Sequence, residues 1–388
     1  MMNLRQLETM EERVQLLKEV VQPFKQRAWK HDREATFPKD NIEDLKKAGY
    51  TSLTVPKQYG GKEISLFEMV QHQETIGAAD GATSLSIGWH IGLIKHLGET
   101  RVWDESIYEK VCQDVLHKHA LINAAATEAQ TGSPTRGGKP GTTAKKMEGN
   151  WYISGRKIFT TMSPVLNYFI VSAAIEGTDD VANFLIPKES KGLQIEETWD
   201  MMAMRATGSH DLVLENVKIG EEGLVEYITP GNKPAAGWLL HIPACYLGIA
   251  RAAQEYAISF AKQYSPNSIQ GTISDLPHVR QKIGEMELRL LQARSFLHAI
   301  ANKWDQTPFE ERQLMNAELG AVKHAVVSHA IEVVDLAMRV VGALSLSNKN
   351  PLQRYYRDVR AGLHNPPMDE MTVMLLAKEA MERIGEKP

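Results

Sequence analysis

Residues 142–161, TTAKKMEGNWYISGRKIFTT, change the character of the chain, because the sequence before them has a largely helical pattern. Their alternating side chains, with Gly and Asn between the two halves, are typical of short strands joined by a turn. Three more β-prone runs follow: NYFIVSAAI at 167–175, ANFLIPK at 182–188 and HDLVLENVKI at 210–219. The sequence therefore predicts a β domain in the middle of a helical protein.

Helical periodicity dominates on both sides of these strands. The run NIEDLKKAGY at 41–50 predicts a helix that ends at Gly49. Two later runs place apolar residues at helical spacing, namely Val279, Ile283, Met286, Leu290, Leu297, Ile300 and Trp304, then Leu319, Val322, Val326, Val333, Leu336 and Val340.

Four such helices, the last beginning near Met368, predict an antiparallel bundle. We predict an α+β multidomain protein. Its parts are an N-terminal α-helical domain at 1–120, a middle β-barrel or sandwich domain at 121–225, and a C-terminal four-helix bundle at 226–388.

Composition and charge exclude several classes of protein. The 388 residues are 43 % hydrophobic, which is typical of a globular protein with a large core. The net charge of −4 leaves no excess of basic side chains that could bind the phosphates of a nucleic acid. Cys112 and Cys245 are the only cysteines, so we expect neither a disulfide framework nor a cysteine metal site. We find no signal peptide and no membrane-spanning run, and therefore expect a cytoplasmic protein without membrane insertion.

Five blocks along nearly the whole chain resemble the acyl-CoA dehydrogenase family. They are LKKAGYTSLTVPKQYGG at 45–61, ALINAAATEAQTGSP at 120–134, WYISGRKIFTT at 151–161, MAMRATGSHDLVLENVKI at 202–219 and VVGALSLSNKNPLQRYYRDVRAG at 340–362. Because separate blocks occur in the right order, this resemblance is more specific than one short motif. It implies a homotetrameric or dimeric flavoprotein of fatty acid metabolism. Such an enzyme uses FAD to dehydrogenate an acyl-CoA thioester and passes electrons to electron-transfer flavoprotein.

The resemblance also implies which residues bind the flavin. A flavin ring needs hydrogen bonds at its polar edge and an apolar wall against its face. Phe159 matches the aromatic position beside the ring, and the turn at Gly132 and Ser133 can bind a phosphate through backbone amides and a hydroxyl. For a Thr or Phe taken alone, an ordinary β-forming residue is the simpler interpretation, and the joint placement in matching blocks reverses this preference. The implied set is Thr127, Gly132, Ser133, Phe159, Thr160 and Thr161.

A neighbouring subunit is implied to hold the far end of FAD through a Gln and two glycines. In this chain Arg339 stands at the Gln position, Gly342 at the first glycine and Ala343 at the second. Arginine can bind a pyrophosphate through two hydrogen bonds, so the site can persist with altered geometry. A solvated charge at a helix end is an equally good interpretation of Arg339. Arg357 and Asp358 are predicted to have structural roles.

The sequence departs from the family at the catalytic base. The resemblance implies a Glu nine residues beyond Arg357, which takes the α-proton of the substrate as hydride leaves the β-carbon. A carboxylate suits this step because burial raises its pKa. Here the position is Pro366, which has no basic group.

The turn LHNPP at 363–367 offers His364 as the catalytic candidate. The pre-proline restriction predicts that the helix breaks here, and a neutral imidazole can act as an acid or a base. A related branch, the flavin-dependent monooxygenases that use O2 and a partner flavin reductase, similarly has a His followed by an Asx and a Pro. The run MRATGSHD at 204–211 resembles that branch too. A helix cap is the structural alternative for His364.

Two alternatives to acyl-CoA dehydrogenation therefore stay open. One is the monooxygenase reaction, and the other is a catalytically silent ligand-binding or assembly protein with the same fold. Asp369 and Glu370 are predicted to be acids at the start of the next helix. In the apolar run at 82–97, Trp89 and His90 are candidates for lining the substrate cavity, although a hydrogen-bonded core histidine is the simpler prediction for His90.

Overall fold

The structure is a computed structural model that describes residues 3–132, 137–232 and 234–385. Helices dominate the chain up to residue 118, strands occupy 122–228, and long helices return from residue 241. This order confirms the predicted fold class. The first helices are α1 (Met10–Val20), α2 (Phe24–Glu34), α3 (Lys39–Lys47), α4 (Leu66–Ala79), α5 (Gly81–Thr100) and α6 (Glu105–Lys118).

Local sequence signals set the limits of several of these helices. Thr9 and Glu12 form a capping box at the start of α1. Asp80 separates α4 from α5, because its carboxylate accepts a hydrogen bond from the Thr83 amide at 3.2 Å. Gly49, with a φ of 77°, follows α3 as the sequence predicted. Glycine adopts this left-handed conformation without steric cost.

The strands form one hydrogen-bonded sheet with the order β6-β7-β3-β2-β4-β5-β8, and β1 pairs in parallel with β4. The strands are β1 (Ile122–Ala125), β2 (Thr143–Met147), β3 (Asn150–Thr160), β4 (Tyr168–Ile175), β5 (Val181–Pro187), β6 (Leu193–Glu196), β7 (His210–Gly220) and β8 (Leu224–Ile228). The boundary predicted between 225 and 226 falls inside β8, so the sheet continues to residue 228.

The C-terminal helices pack around α9. They are α7 (His241–Gln263), α8 (Pro277–Gln306), α9 (Asn316–Val341), α10 (Pro351–Arg360) and α11 (Asp369–Gly385). Both predicted apolar stripes face the interior, and only Ile283 among them is half-buried. Helix α7 also packs against α4 and α5. The first and last regions therefore share one apolar core.

Within the described residues, none of the helices is both long and apolar enough to cross a membrane. That part of the chain also contains no group of three or more His, Cys, Asp or Glu side chains able to hold a metal ion. Cys112 and Cys245 are both buried and free.

Candidate functional site

An irregularity in strand β3 lies at the centre of the candidate site. The pairing of β3 with β7 shifts between Lys157 and Thr160. Within this shift Phe159 has a left-handed φ of 58°, a conformation that costs energy for a bulky residue. Its ring is 47 % exposed. The irregularity therefore presents a flat apolar face at the surface of the sheet.

Trp199, in the loop between β6 and β7, extends this apolar face. The rings of Phe159 and Trp199 meet edge to face, with centroids 5.8 Å apart. The indole N–H of Trp199 donates to the Met204 carbonyl at 3.0 Å, and its backbone amide donates to the His210 ring at 3.2 Å. Because both donors of Trp199 are satisfied, its orientation is fixed.

The two threonines beside Phe159 differ in their hydrogen bonding. The Thr160 hydroxyl is buried and has no partner among the described residues. The Thr161 hydroxyl is 2.9 Å from the Ser209 hydroxyl, and the Thr161 carbonyl accepts from the Asn123 side chain at 3.0 Å. Thr161 can therefore offer a ligand fewer free groups than the sequence suggested.

Thr127 and Gly132 lie on the segment that faces the irregular part of β3. The Thr127 carbonyl accepts from the Ile158 amide at 2.9 Å, which ties the two segments together. The Thr127 hydroxyl has no partner in the described chain. Gly132 has a φ of 70° and exchanges two backbone hydrogen bonds with Glu128. Ser133, which was also predicted to bind the cofactor, lies outside the described residues.

These residues fit a flavin ring. The Phe159 face supplies an exposed aromatic wall, and the adjacent Thr160 contributes a buried hydroxyl without a partner in the described residues. Thr127, whose carbonyl accepts from the Ile158 amide, adds a half-buried hydroxyl. An unpaired buried hydroxyl is unusual in a folded protein, because it costs about 1–3 kcal/mol when it has no partner. A ligand with a polar edge and an apolar face meets both requirements.

Arg339 and Gly342 lie apart from this cluster, at the C-terminal end of α9. The Arg339 side chain is exposed and forms no ion pair within the described residues. Gly342 has a φ of 73°, and a Cβ atom at this position would meet no atom within 4 Å. Both residues are therefore open to a ligand or to another subunit.

The turn between α10 and α11 contains the position expected for a catalytic base. Helix α10 ends at Arg360, a 3-10 turn covers Ala361–His364, and α11 begins at Asp369. The helix thus breaks where the prolines predicted. The His364 ring is exposed, and no hydrogen bond joins it to the described chain, so it does not cap α10.

Neighbouring residues hold both ends of this turn. The Tyr246 hydroxyl on α7 donates to the Asn365 side chain at 2.5 Å. Asp369 accepts a hydrogen bond from Lys323 at 2.8 Å, and its second oxygen lies 3.3 Å from the His324 ring. Asp369 is therefore engaged in an ion pair at the start of α11, as its predicted helix-start role requires.

Family models match the chain in three consecutive parts. They are described as the N-terminal, middle and C-terminal domains of acyl-CoA dehydrogenase, and they cover residues 5–100, 123–217 and 240–365. A protein of Bacillus subtilis (strain 168), "Putative acyl-CoA dehydrogenase YdbM", is 54 % identical over 94 % of this chain and 95 % of its own. The chain belongs to the acyl-CoA dehydrogenase family.

Other relatives of this acyl-CoA dehydrogenase family member have different named activities. An L-evernosamine nitrososynthase of Micromonospora sp. is 27 % identical over 90 % of this chain and 85 % of its own. The crystal structure of TdsC from Paenibacillus sp. A11-2 with FMN and indole superposes with a TM-score of 0.85. It covers 96 % of this chain and 97 % of its own at 20 % identity, so it shows the fold alone. This family member therefore shares its fold with a protein whose crystal structure contains FMN.

Helix α5 of this family member contains a buried histidine with a structural role. One His90 ring nitrogen lies 2.9 Å from the Thr51 carbonyl, and the other accepts from the Ile122 amide at 3.2 Å. Burial lowers the pKa of His90 to about 4. The sequence missed His241, whose buried ring packs edge to face on Trp89 with both nitrogens unpartnered in the described chain.

The Arg357 and Asp358 pair joins all three regions of the family member. Arg357 binds the Asp32 carboxylate on α2 at 2.6 Å and also donates to the Met202 carbonyl. Asp358 is buried and accepts from the Met204 amide at 2.7 Å. Burial, with the nearby Asp32 carboxylate, raises the pKa of Asp358 to about 7. These contacts fit the structural role predicted for the pair.

Thr127, Phe159 and Thr160 together form what we call the flavin-compatible cluster. Sequence reasoning also missed Glu128 and Lys157, which form a buried ion pair beside this cluster. The Lys157 ammonium donates to the Glu128 carboxylate at 2.6 Å. Glu128 stands next to Thr127 in the block ALINAAATEAQTGSP, which was the available signal. The identity of its partner could not be inferred, because the two residues are 29 positions apart.

Proposed function

We propose that this family member is an FAD-dependent oxidoreductase whose flavin ring lies against Phe159. The exposed Phe159 face and the buried Thr160 hydroxyl, which has no partner in the described residues, support this assignment. The ring of Phe159 and the edge of Trp199 provide the apolar wall and exclude water from one face of the flavin. Thr127 binds a polar group of the cofactor. Phosphate binding at Gly132 and Ser133 stays a prediction from the sequence, since the Gly132 amide already donates to the Glu128 carbonyl.

The reaction that the geometry supports best is oxygenation of a small-molecule substrate with reduced flavin and O2. The observation that carries this proposal is the lack of a free carboxylate in the turn at 361–368, where Pro366 occupies the expected base position. The two acids just beyond cannot easily replace the base. Asp369 is paired with Lys323, and Glu370 lies four residues beyond position 366, on α11 and not in the turn.

Oxygenation removes the need for such a base. A reduced flavin held against Phe159 would supply the two electrons that O2 needs, so that one oxygen atom would enter the substrate and the other would leave as water. In this proposal a partner flavin reductase supplies the electrons. His364 is the only ionisable side chain in the turn at 361–368, and its imidazole can give a proton to the departing oxygen or take one from the substrate. The amino sugar nitrososynthases among the relatives have names that describe formation of a nitroso group, which is consistent with oxygenation.

Dehydrogenation of an acyl-CoA thioester is the second candidate function. It is favoured by the three matching domain models and by the 54 % identical relative named for that activity. In this case the electron acceptor is electron-transfer flavoprotein. The α-proton then has to be taken by a group other than a Glu at position 366.

One experiment with the flavin-loaded protein separates these functions. An acyl-CoA series is added without oxygen while flavin absorbance is recorded, and a flavin reductase with NADH and O2 is tested in parallel on amine, phenol and thioether substrates. Product formation that needs both reductase and O2, with no anaerobic bleaching, supports oxygenation. Rapid anaerobic bleaching by an acyl-CoA overturns oxygenation in favour of dehydrogenation. A colourless protein that takes up no added flavin overturns both and supports the silent alternative.

A further inference from the structure

The loop from Glu128 to Thr142 closes on a single carboxylate. One oxygen of Glu128 accepts from the Thr131 hydroxyl at 2.8 Å and the Gly141 amide at 2.7 Å. The other accepts from the Thr142 amide at 3.0 Å and the Thr142 hydroxyl at 2.7 Å. Both ends of the loop therefore bind the same side chain.

Lys157 joins this carboxylate to strand β3. Its ammonium lies 2.6 Å from Glu128 and 3.4 Å from the Ser172 hydroxyl on β4. The Lys157 side chain is fully buried, and Glu128 is 7 % exposed. A buried ion pair of this kind needs good geometry and further hydrogen bonds to offset the loss of hydration. The four other donors to Glu128 meet that requirement.

Glu128 remains ionised at physiological pH. Its burial alone would raise its pKa, but hydrogen bonds from Lys157, Thr142 and Thr131 hold the pKa of the carboxyl at about 2. The carboxylate therefore stays charged, and both of its oxygens accept hydrogen bonds from the protein.

The ion pair lies between the two segments that compose the flavin-compatible cluster. Glu128 directly follows Thr127, and Lys157 precedes Phe159 by two residues. The Ile158 amide, between Lys157 and Phe159, donates to the Thr127 carbonyl at 2.9 Å. A shift of either partner would move Thr127 relative to the Phe159 ring.

We propose that Glu128 and Lys157 are positioning residues that set the spacing between the Thr127 segment and the Phe159 face, and thereby set flavin affinity. This inference rests on the proposed flavin site. Neither residue is proposed to touch the reacting atoms. The pair acts through the backbone of Thr127, Ile158 and Phe159.

Glu128→Gln tests this role with little change of volume. The side-chain NH2 of Gln is a donor, so it would replace one carboxylate oxygen and face groups that also donate. These groups are either Thr131 and Gly141 or Lys157 and Thr142. Loss of a charge-assisted hydrogen bond is large enough to weaken a dependent ligand by about tenfold or more. Thr131→Val removes a single donor and keeps the charge, so it provides a milder variant that is expected to fold.

The matched control is Glu68→Gln on α4. Glu68 is also buried and binds the Arg13 guanidinium through two contacts, at 2.5 and 2.8 Å, away from the β domain. Both Gln variants lose a buried ion pair, so both are expected to lose stability. Only the Glu128 variant is expected to lose flavin affinity.

Two measurements on the full-length protein decide the matter. FAD is titrated into the apoprotein of each variant to give Kd, and hydrogen exchange is followed at the amides of Gly141, Thr142 and Ile158. We expect Glu128→Gln to raise Kd at least about tenfold and Thr131→Val to raise it less, with faster exchange at all three amides and no change in Kd for Glu68→Gln.

Other outcomes separate this inference from the flavin assignment itself. If the natural protein binds FAD and Glu128→Gln binds it equally well, the positioning role is wrong while the flavin site stands. If the Kd of Glu68→Gln rises as much as that of Glu128→Gln, the effect is one of general stability and the positioning role is wrong. If the natural protein binds no flavin, both proposals fail. If Glu128→Gln does not fold, an unchanged Kd for Thr131→Val overturns the positioning role.

Discussion

His364 carries the clearest chemical question at the level of single residues. Its ring is exposed in the turn beside Pro366, and it makes no hydrogen bond within the described chain. An exposed side chain without partners contributes little to stability, so its removal should leave folding and flavin content unchanged. A role in proton transfer, by contrast, should make turnover sensitive to the imidazole.

We predict that His364→Ala lowers turnover by about 10² to 10⁴, the usual loss for a positioned acid or base. The measurement is steady-state turnover per bound flavin, with the thermal midpoint recorded in parallel. His278→Ala, which removes an exposed histidine at the start of α8, is the control and should retain full activity. A normal rate in His364→Ala would exclude the histidine from the reaction.

The raised pKa of Asp358 predicts that the stability of the protein depends on pH. Its pKa is raised to about 7 in the folded protein from an ordinary 3.8. Between about pH 4 and pH 7 the folded state therefore holds a proton that the unfolded state releases. Stability due to this group falls as pH rises through that window. Above it, the buried carboxylate is charged and faces the Asp32 charge as well as Arg354 and Arg357.

Asp358→Asn should remove this dependence, since the amide keeps an oxygen for the Met204 amide and never ionises. We expect the unfolding free energies of variant and natural protein to approach each other only near pH 4, where Asp358 is protonated in the folded state and half-protonated in the unfolded state. Between pH 5 and pH 8 we expect the stability of the variant relative to the natural protein to increase by on the order of 2 kcal/mol. Urea denaturation at the two pH values measures this. Equal stability differences at both values would show that Asp358 does not titrate in this range.

At the level of elements, the turn at 361–368 is held in place by α7. The Tyr246 hydroxyl is buried against the turn and donates to Asn365 at 2.5 Å. Gly362 allows the turn to approach the Tyr246 ring, because a Cβ atom there would lie 3.0 Å from it. Together with the Lys323 and Asp369 ion pair at the other end of the turn, the Tyr246 side chain therefore sets the position of His364 relative to the rest of the protein.

We predict that Tyr246→Phe lowers stability by about 0.5 to 1.5 kcal/mol and lowers turnover, because the Asn365 oxygen loses its donor. Tyr256→Phe is a control on the same helix, since Tyr256 binds Asn350 at the start of α10 at 3.0 Å. Hydrogen exchange should become faster in 361–368 for the first variant only. Equal turnover in the two variants would show that the position of the turn does not affect the reaction.

Element limits were predictable where a local signal exists. Gly49 ends a helix and the prolines at 366 and 367 separate α10 from α11, because both effects depend on φ at one residue. The left-handed conformation of Phe159 was not predictable, since nothing in its own chemistry favours it. It depends on the pairing between β3 and β7, which is a tertiary property.

For the whole molecule, the spacing of hydrophobic residues was enough to predict the order of helical, strand and helical regions. The buried stripes of α8 and α9 confirm that prediction. Contacts between distant parts of the chain could not be predicted from this spacing. Arg357 binds Asp32 across 325 positions, and no pattern in a single sequence states which acid an arginine will meet. The Glu128 and Lys157 pair was missed for the same reason.

Several helices carry exposed apolar side chains that are candidates for an interface with another copy of the chain. Leu288 and Leu291 on α8 are 54 % and 51 % exposed, and Leu346 after α9 is 70 % exposed. Such groups are common at interfaces between copies of a chain. Arg339 and Gly342 stand open near Leu346 in sequence, where the predicted oligomer would place them against the cofactor of a neighbour.

This arrangement predicts that flavin binding depends on assembly. Dilution of the loaded protein to the monomer should release flavin, because a site completed by a neighbour binds its ligand only in the oligomer. Light scattering combined with flavin fluorescence measures both quantities on one sample. Arg339→Ala should keep the oligomer but weaken flavin binding by about 1.5 to 3 kcal/mol, the usual range for a hydrogen bond to a charged group. Arg383→Ala, which removes an exposed arginine from α11, should bind flavin normally. A monomer that retains one flavin per chain would show that each subunit holds its cofactor alone, and Arg339 would then be a solvated charge at the end of α9.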